Sequence, residues 1–350
     1  MLESSRNYVA IPPGMTIKEL LQDRGISQKE FAVRIGASEK HVSKLINGEV
    51  QLTMDMARKL ETVLGPSTQF WCNLESLYRE NLALASEENA LDVDKNILNM
   101  FSYTEIANLG WVEKTNNKTQ RIYNLRKFFE VAQLSFLNEQ LIPNVIYRKL
   151  SLTNSSDYKL LAWCQKAKLD ARNIYTNKIN ISLLKRKLPD IRYLCNLTPS
   201  EFCDTLVSML AECGIALVFL PHLKGSFLHG ATFYDNHKIV VGLTVRGKDA
   251  DRFWFSLFHE LGHIINEDNL HDEYYEDIER NADTFARNLL INKTDYQNFI
   301  LKNAITEKSI IDFANSQSID KGIVVGRLQA DEIIPHSSYN YLKTKYEIKE

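Results

Sequence analysis

Between Ser27 and Leu64 the apolar positions come in short bursts at three- and four-residue steps. Phe31, Ala32 and Ile35 form one burst, and Val42, Leu45 and Ile46 the next. That spacing predicts helices with one face turned inward. Ser27-Gln28-Lys29-Glu30 has the capping-box pattern, so a helix begins there. Gly36 ends it, Ser38 caps a second short helix from Glu39 to Ile46, and Asn47-Gly48 closes that one. A further helix, Thr53 to Leu64, stops at Gly65-Pro66, and Phe70-Trp71 opens another. From about 81 to 200 the pattern stays helical with few glycines: Gln120 to Leu137, Ser156 to Tyr175, and a weaker stretch around Leu183 to Leu194. No internal repeat is visible.

Past residue 200 the period changes. Ile215 to Leu220 is a continuous apolar run of strand length, and His229 to Tyr234 and Lys238 to Val245 read as a hairpin turning at Asp235-Asn236. Two amphipathic helices follow: Trp254, Leu257, Phe258, Leu261, Ile264 and Ile265 mark one buried stripe, and Ile278, Ala282, Phe285, Ala286 and Leu289 a second. The expected fold class is α+β, mainly helical, with a small sheet confined to the C-terminal part. We divide it into 1–80, a helical scaffold over 81–200, and 201–350.

Composition changes this picture little. A chain of 350 residues is long for a single core, in keeping with several domains. A formal net charge of −2 excludes a polycationic nucleic-acid coat, so any DNA binding must come from a local surface or a dimer. Lys166, Lys168, Arg172, Lys178, Lys185, Arg186, Lys187 and Arg192 make the middle locally basic, either as a solvated helix face or as an extension of a DNA footprint. The longest apolar runs are too short to span a bilayer and no secretory leader is visible. Five cysteines without a C-x-x-C pair argue against a disulfide framework or a cysteine zinc site. A cytoplasmic protein with reduced thiols, away from membranes, is expected.

Two short helices joined by a glycine turn are the helix-turn-helix arrangement, whose second helix enters the major groove with its early, outward residues at the base edges. Here those residues are Glu39, Lys40, His41, Ser43 and Lys44, while Val42, Leu45 and Ile46 point to the core. A helical bundle that binds protein is the competing reading. From Pro13-Gly14 through SQKEFAVRIGASEKHVSKLINGEVQLTMDMARKLETVLG to the following FW and NL, the segment resembles the DNA-binding domain of HigA-type antitoxins within the Cro/C1-type repressors. The resemblance implies a double-stranded operator, a homodimer and a toxin-antitoxin setting with a toxin partner.

The stretch FHELGH carries the second chemistry. His259 and His263, four apart on a helix, fall on one side and can chelate a single ion. Zinc with three protein ligands keeps a fourth position for water and lowers its pKa towards about 7. Glu260, next to the first ligand, can take that proton and hand it to a leaving amine. On the following helix Glu279 and Asp283 stand one turn apart, the spacing expected if Glu279 binds the metal and Asp283 accepts the N–H of His259. His271, Asp272, Glu276 and Asp277 compete for the third ligand position, but none has a carboxylate one turn on beside a continuous apolar stripe. Glu279 and Asp283 as exposed surface charges is the bland alternative. An edge strand beside a catalytic zinc can hold an extended peptide by main-chain pairing. His229, Tyr234 and His237 are candidate oxyanion stabilisers, weighed against ordinary turn and packing roles.

GATFYDN, IVVGLTVRGKDADRFWFSLFHELGHII and IERNADTFARNLLI are similar to ImmA/IrrE-family metallopeptidases over about residues 200 to 295. This implies a zincin-like fold, Zn2+ held by His259, His263 and Glu279, catalysis by Glu260, and a protein substrate such as a helix-turn-helix repressor. The resulting expectation is a DNA-binding transcriptional regulator with a zinc-dependent endopeptidase that cleaves a repressor, a toxin or itself. The alternative is an antitoxin-like repressor whose peptidase fold only binds a partner or senses a ligand.

Overall fold

The computed structural model describes residues 3–138, 155–224, 230–244, 249–266, 275–302 and 304–346. By contact density the chain divides into two compact units, Met1–Ile97 and Leu98–Glu350.

The first unit opens with a small antiparallel ribbon, β1 (Glu3–Ser4) and β2 (Val9–Ala10). Four helices follow: α1 (Pro13–Asp23), α2 (Gln28–Ile35), α3 (Glu39–Ile46) and α4 (Met54–Leu64). Their starts are fixed by short polar side chains that accept a backbone N–H three residues on. Ser27 accepts from Glu30 at 3.1 Å, Ser38 from His41 at 3.2 Å and Thr53 from Met56 at 3.3 Å. The second half of the expected capping box is replaced: the Glu30 carboxylate accepts from Arg34 one turn on, at 2.5 Å. Gly36 ends α2 in the left-handed region, at φ 65°.

Ile17, Phe31, Val42, Leu60 and Trp71 are fully buried at the centre of this unit. Gly14 lets α1 approach α3: a Cβ there would sit 2.1 Å from the carbonyl oxygen of Ile46. Helix α5 (Thr68–Leu98) starts two residues ahead of the Phe70-Trp71 signal and runs on through residue 80 without a break. The stretch 81–200 is therefore split between the two units.

In the second unit α6 (Tyr103–Asn108) and α7 (Lys118–Phe129) come first. The pattern read as one helix from Gln120 to Leu137 breaks at Glu130, which adopts φ 57°, and resumes as a 3-10 turn over Leu134–Asn138. Then come α8 (Ser155–Ala171), α9 (Ile181–Tyr193) and α10 (Pro199–Glu212).

The sheet is β3 (Ile215–Phe219), β4 (Gly230–Asp235) and β5 (Lys238–Leu243), in spatial order β3-β5-β4. β5 is central, parallel to β3 and antiparallel to β4. Asp235 pairs with Lys238, so the hairpin turns on Asn236 and His237, one residue later than the sequence signal, and Asn236 takes φ 56° as such turns require. Alternation sends Ile239, Val241 and Leu243 into the main core, whereas Gly242 faces the indole of Trp163 on α8. Lys238, though buried, donates to the carbonyls of Ala171 and Ile174 at 3.0 and 2.6 Å, past the end of α8.

Below the sheet lie α11 (Ala250–Ile265) and α12 (Tyr275–Leu290), followed by α13 (Lys293–Lys302), α14 (Glu307–Gln317) and α15 (Lys321–Ala330). Helix α11 is buried on nearly every side, not along one stripe. Trp254, Leu257, Phe258 and Leu261 enter the core, and the opposite, polar face forms the floor of a cleft. Arg192 at the end of α9 donates to the carbonyls of Leu289, Leu290 and Gln317 at 2.7–3.1 Å, so it holds the end of α12 against the turn after α14.

The close approach at Gly14 yields a stability test. Replacing Gly14 by Ala forces the backbones of α1 and α3 apart and should lower the stability of the first unit by about 2 kcal/mol, read as a reduced urea midpoint.

Candidate metal centre

Helices α11 and α12 pack antiparallel: His263 lies beside Glu279, and His259 beside Asp283, one turn further back on one helix and one turn further on along the other. Gly262 permits this approach, since a Cβ there would stand 3.1–3.2 Å from Phe285 and Ala282. His259 Nε2 and His263 Nε2 face one another at 3.0 Å, with the rings nearly perpendicular. Glu279 places one carboxylate oxygen 3.4 Å from His259 Nε2 and the other 3.6 Å from His263 Nε2.

Zinc bonds of about 2.1 Å at tetrahedral angles set ligand atoms about 3.4 Å apart. The spread of 3.0–3.6 Å therefore fits a zinc-sized ion at the common point of these atoms. Two imidazole nitrogens pointing at each other also need a proton or a cation between them. On its far side His259 Nδ1 is 2.8 Å from Asp283 Oδ1. A hydrogen bond there puts the proton on Nδ1 and leaves the Nε2 lone pair directed at the common point.

Electrostatics point the same way. Burial alone would lower the His259 pKa, but the hydrogen bonds to Asp283 and Glu279 and the charges of Glu260 and Glu279 outweigh it and push the imidazole up to about 9. Without an ion, the acid-rich cluster holds a proton as its cation.

Glu260 is itself buried, at 7% exposure, and one of its oxygens accepts from the Thr232 hydroxyl at 2.7 Å. Thr232 and Gly230 lie on β4, which is an edge of the sheet among the described residues. A Cβ at Gly230 would fall 2.8 Å from Glu260 Oε1, so the glycine keeps the second oxygen free of a neighbouring side chain.

A cavity of about 680 Å³ leads away from these residues between α11, the last turns of α12 and α15. At its far end Asp251 accepts from Lys343 at 2.9 Å. Burial raises the Asp251 carboxyl above its ordinary pKa, against the pull of Lys343.

The other candidates fall elsewhere. Asp277 is exposed and pairs with Arg280 at 3.4 Å. His229, His271, Asp272 and the side chain of Glu276 lie outside the described part. Tyr234 and His237 sit at the turn end of the hairpin, about 13 Å along β4 from Gly230 and away from Glu260, so the structure does not bring them to the cluster. Much of the basic stretch in the middle is engaged within the protein: Lys166 with Asp170, Lys168 with Asp235, Arg172 with Glu130, Lys187 with Glu212, and Arg192 with backbone carbonyls. In the first unit Glu39, Lys40, His41, Ser43 and Lys44 are all exposed on α3, opposite buried Val42, Leu45 and Ile46.

Sequence reasoning missed the Thr232 contact, which depends on strand register across 28 residues of chain. It also missed the cationic end of the cavity, although Arg287 continues the one-turn spacing of Glu279 and Asp283.

Comparison with known proteins finds a family match in each part of the chain. Residues 17–71 match the helix-turn-helix family model, and residues 214–314 match that of the IrrE N-terminal-like domain. The HTH-type transcriptional regulator YddM of Escherichia coli K12 is 36% identical over 83 residues, which is 24% of this chain and 84% of that protein. The chain belongs to the helix-turn-helix transcriptional regulators. Antitoxin HigA-1 of Vibrio cholerae is 36% identical over 75 residues, or 21% of this chain and 70% of that protein. Each of these two matches spans less than a quarter of this chain; the second unit carries the domain of a metallopeptidase family. The regulator thus joins a DNA-binding helix-turn-helix to an IrrE-like peptidase domain in one α+β, mainly helical chain. Among the described residues no helix is long and apolar enough to cross a membrane.

The raised pKa of His259 has a definite sign. Its contribution to stability in metal-free protein is complete below the unfolded value of 6.5 and is lost as pH rises through about 9. Urea melts of chelator-treated protein should show the second unit losing stability across that window, and Asp283→Asn should flatten the dependence.

Proposed function

We propose that the regulator is a DNA-bound zinc endopeptidase that cleaves a regulatory protein in an extended conformation. One observation carries this reading: two imidazole nitrogens and a carboxylate from adjoining helices converge at zinc-chelating separations, with a buried carboxylate one residue from the first imidazole.

His259, His263 and Glu279 would hold the ion, and Asp283 fixes the tautomer and direction of His259. A zinc ion bound there would supply a Lewis acid that lowers the pKa of water and polarises a carbonyl. Glu260 accepts the proton of the attacking water and passes it to the leaving amine. Thr232 donates to one oxygen of Glu260 and fixes the carboxylate, while Gly230 leaves room beside the other. A peptide laid antiparallel or parallel along the edge of β4 that no described strand covers would pair through its main chain and present its carbonyl beside Glu260. That geometry favours a protein segment over a small molecule. The substrate is a repressor, a toxin or another copy of this chain.

In the first unit Lys40, His41, Ser43 and Lys44, with Glu39, are the side chains we assign to the operator, bound by a homodimer. Cytoplasmic location accords with a protein that acts on DNA.

Two tests follow from these assignments. Incubation of zinc-loaded protein with the products of neighbouring genes, read by mass spectrometry, should show cleavage. Glu260→Gln should lose it by about a hundredfold or more while zinc content is retained. Thr232→Val should lose about tenfold and Thr232→Ser should keep most of the activity, because the hydroxyl is what holds the base. Identical behaviour of wild type and Glu260→Gln would leave only the binding role. On DNA from upstream of the regulator's own gene, Lys40→Ala and Lys44→Ala should each weaken binding and reduce the salt slope by about one.

A further inference from the structure

The cavity that starts at the metal centre is electrically polarised along its length. Glu260, Glu279 and Asp283 gather at one end. At the other, among the described residues, the cations outnumber the acids. Lys343 matches Asp251 at 2.9 Å, and Lys345 matches Asp249, which is also 3.8 Å from Arg252. Asp331 alone serves two guanidiniums: Arg287 Nη1 at 3.0 Å and Arg327 Nε at 2.6 Å. Both arginines line the cavity, and among the described residues neither has a second carboxylate in ion-pair range. Arg327 is only 19% exposed, with its guanidinium over the Tyr296 ring at 4.8 Å, so its charge is poorly hydrated.

We propose that Arg287 and Arg327 form a subsite for a carboxylate of the peptide substrate. This rests on the peptidase reading and names its substrate class: a peptide with an acidic side chain, or a chain-terminal carboxylate, at a set distance from the cleaved bond. One carboxylate shared between two guanidiniums leaves a positive charge and unused N–H donors, and a second carboxylate answers both, since a guanidinium offers a planar fork that matches it. The distance follows from the helix. Arg287 is eight residues beyond Glu279 on α12, about 12 Å along the axis. An extended peptide rises about 3.3 Å per residue, so the acidic group stands three or four residues from the scissile bond. Metal at one end and guanidiniums at the other would fix both the register and the direction of the peptide.

The test uses the full zinc-loaded chain carrying Glu260→Gln and fluorescein-labelled peptides with an apolar centre, read by anisotropy. Three arms differ at the fourth position from the centre: an amidated peptide with Glu there, an amidated peptide with Gln, and a shortened peptide whose free C-terminal carboxylate falls at that place. One or both carboxylate arms should bind about ten- to a hundredfold more tightly than the Gln arm, and which arm does so separates side chain from chain end. Arg287→Gln and Arg327→Gln should each erase the advantage. Arg287 is the less buried of the two, so its variant decides the matter should Arg327→Gln fail to fold. Equal binding in all three arms, including none, or an advantage that persists in Arg287→Gln, overturns the proposal. Zinc content of the same sample keeps the two readings apart. Protein that holds zinc without discriminating sinks the carboxylate subsite alone, and protein that discriminates without holding zinc sinks the metal centre alone.

Discussion

The structure of the second unit depends on an arrangement that is unfavourable unless a cation resolves it. Two imidazole nitrogens face each other at 3.0 Å, with the carboxylates of Glu279, Asp283 and Glu260 around them; Glu260 and His263 are buried, and Glu279 and Asp283 are half-buried. Gathering that much electron density around partly buried groups is costly without positive charge. The raised pKa of His259 is the protein's own partial answer. A divalent ion would answer it more fully, because it would satisfy all three donor atoms at once. The surrounding fold reads as the machinery that keeps these groups together: Gly262 lets the helices meet, the apolar face of α11 is anchored in the core, and the sheet delivers Thr232 to Glu260.

The two units solve different problems with similar local devices. In the first, short helices are started by serine and threonine caps and brought together over Gly14, which leaves the outward side of α3 polar and exposed. In the second, polarity is turned inward, and the cleft floor is a helix face that would be solvated in an ordinary amphipathic helix. A protein that buries polar groups in this way needs partners for them, and here a strand and the opposing helix supply them beside the proposed ion site.

Much of this was legible in the sequence, for reasons that differ by element. The caps of α2, α3 and α4 lie within four residues of the helix starts they fix, so local chemistry is enough to find them. The grouping of His259, His263, Glu279 and Asp283 is encoded by helical spacing on two neighbouring helices, again a short-range signal. What escaped was long-range. The contact of Thr232 with Glu260 requires knowing that β4 lies at the sheet edge over α11. The sharing of Asp331 by Arg287 and Arg327 needs α15 beside α12. Glu130 in a left-handed conformation breaks the expected helix because the apolar rhythm alone carries no stop signal there. Exposure of α11 was misjudged because a polar helix face looks the same in sequence whether it meets water or a cleft.

Arg192 carries a consequence for how this part of the chain can be divided. Its guanidinium grips the last carbonyls of α12 and the backbone at Gln317 from a helix that precedes the sheet. The stretch recognisable by family, 214–314, is therefore not a portable module: excised on its own, it would leave behind the brace that sets where α12 ends, together with α15, which walls the cleft. Chimeras that transplant the chemistry of this chain must carry everything from α8, which packs on the sheet through Trp163, to the turn after α15, and shuffling at the borders of the recognisable motif would yield frayed proteins.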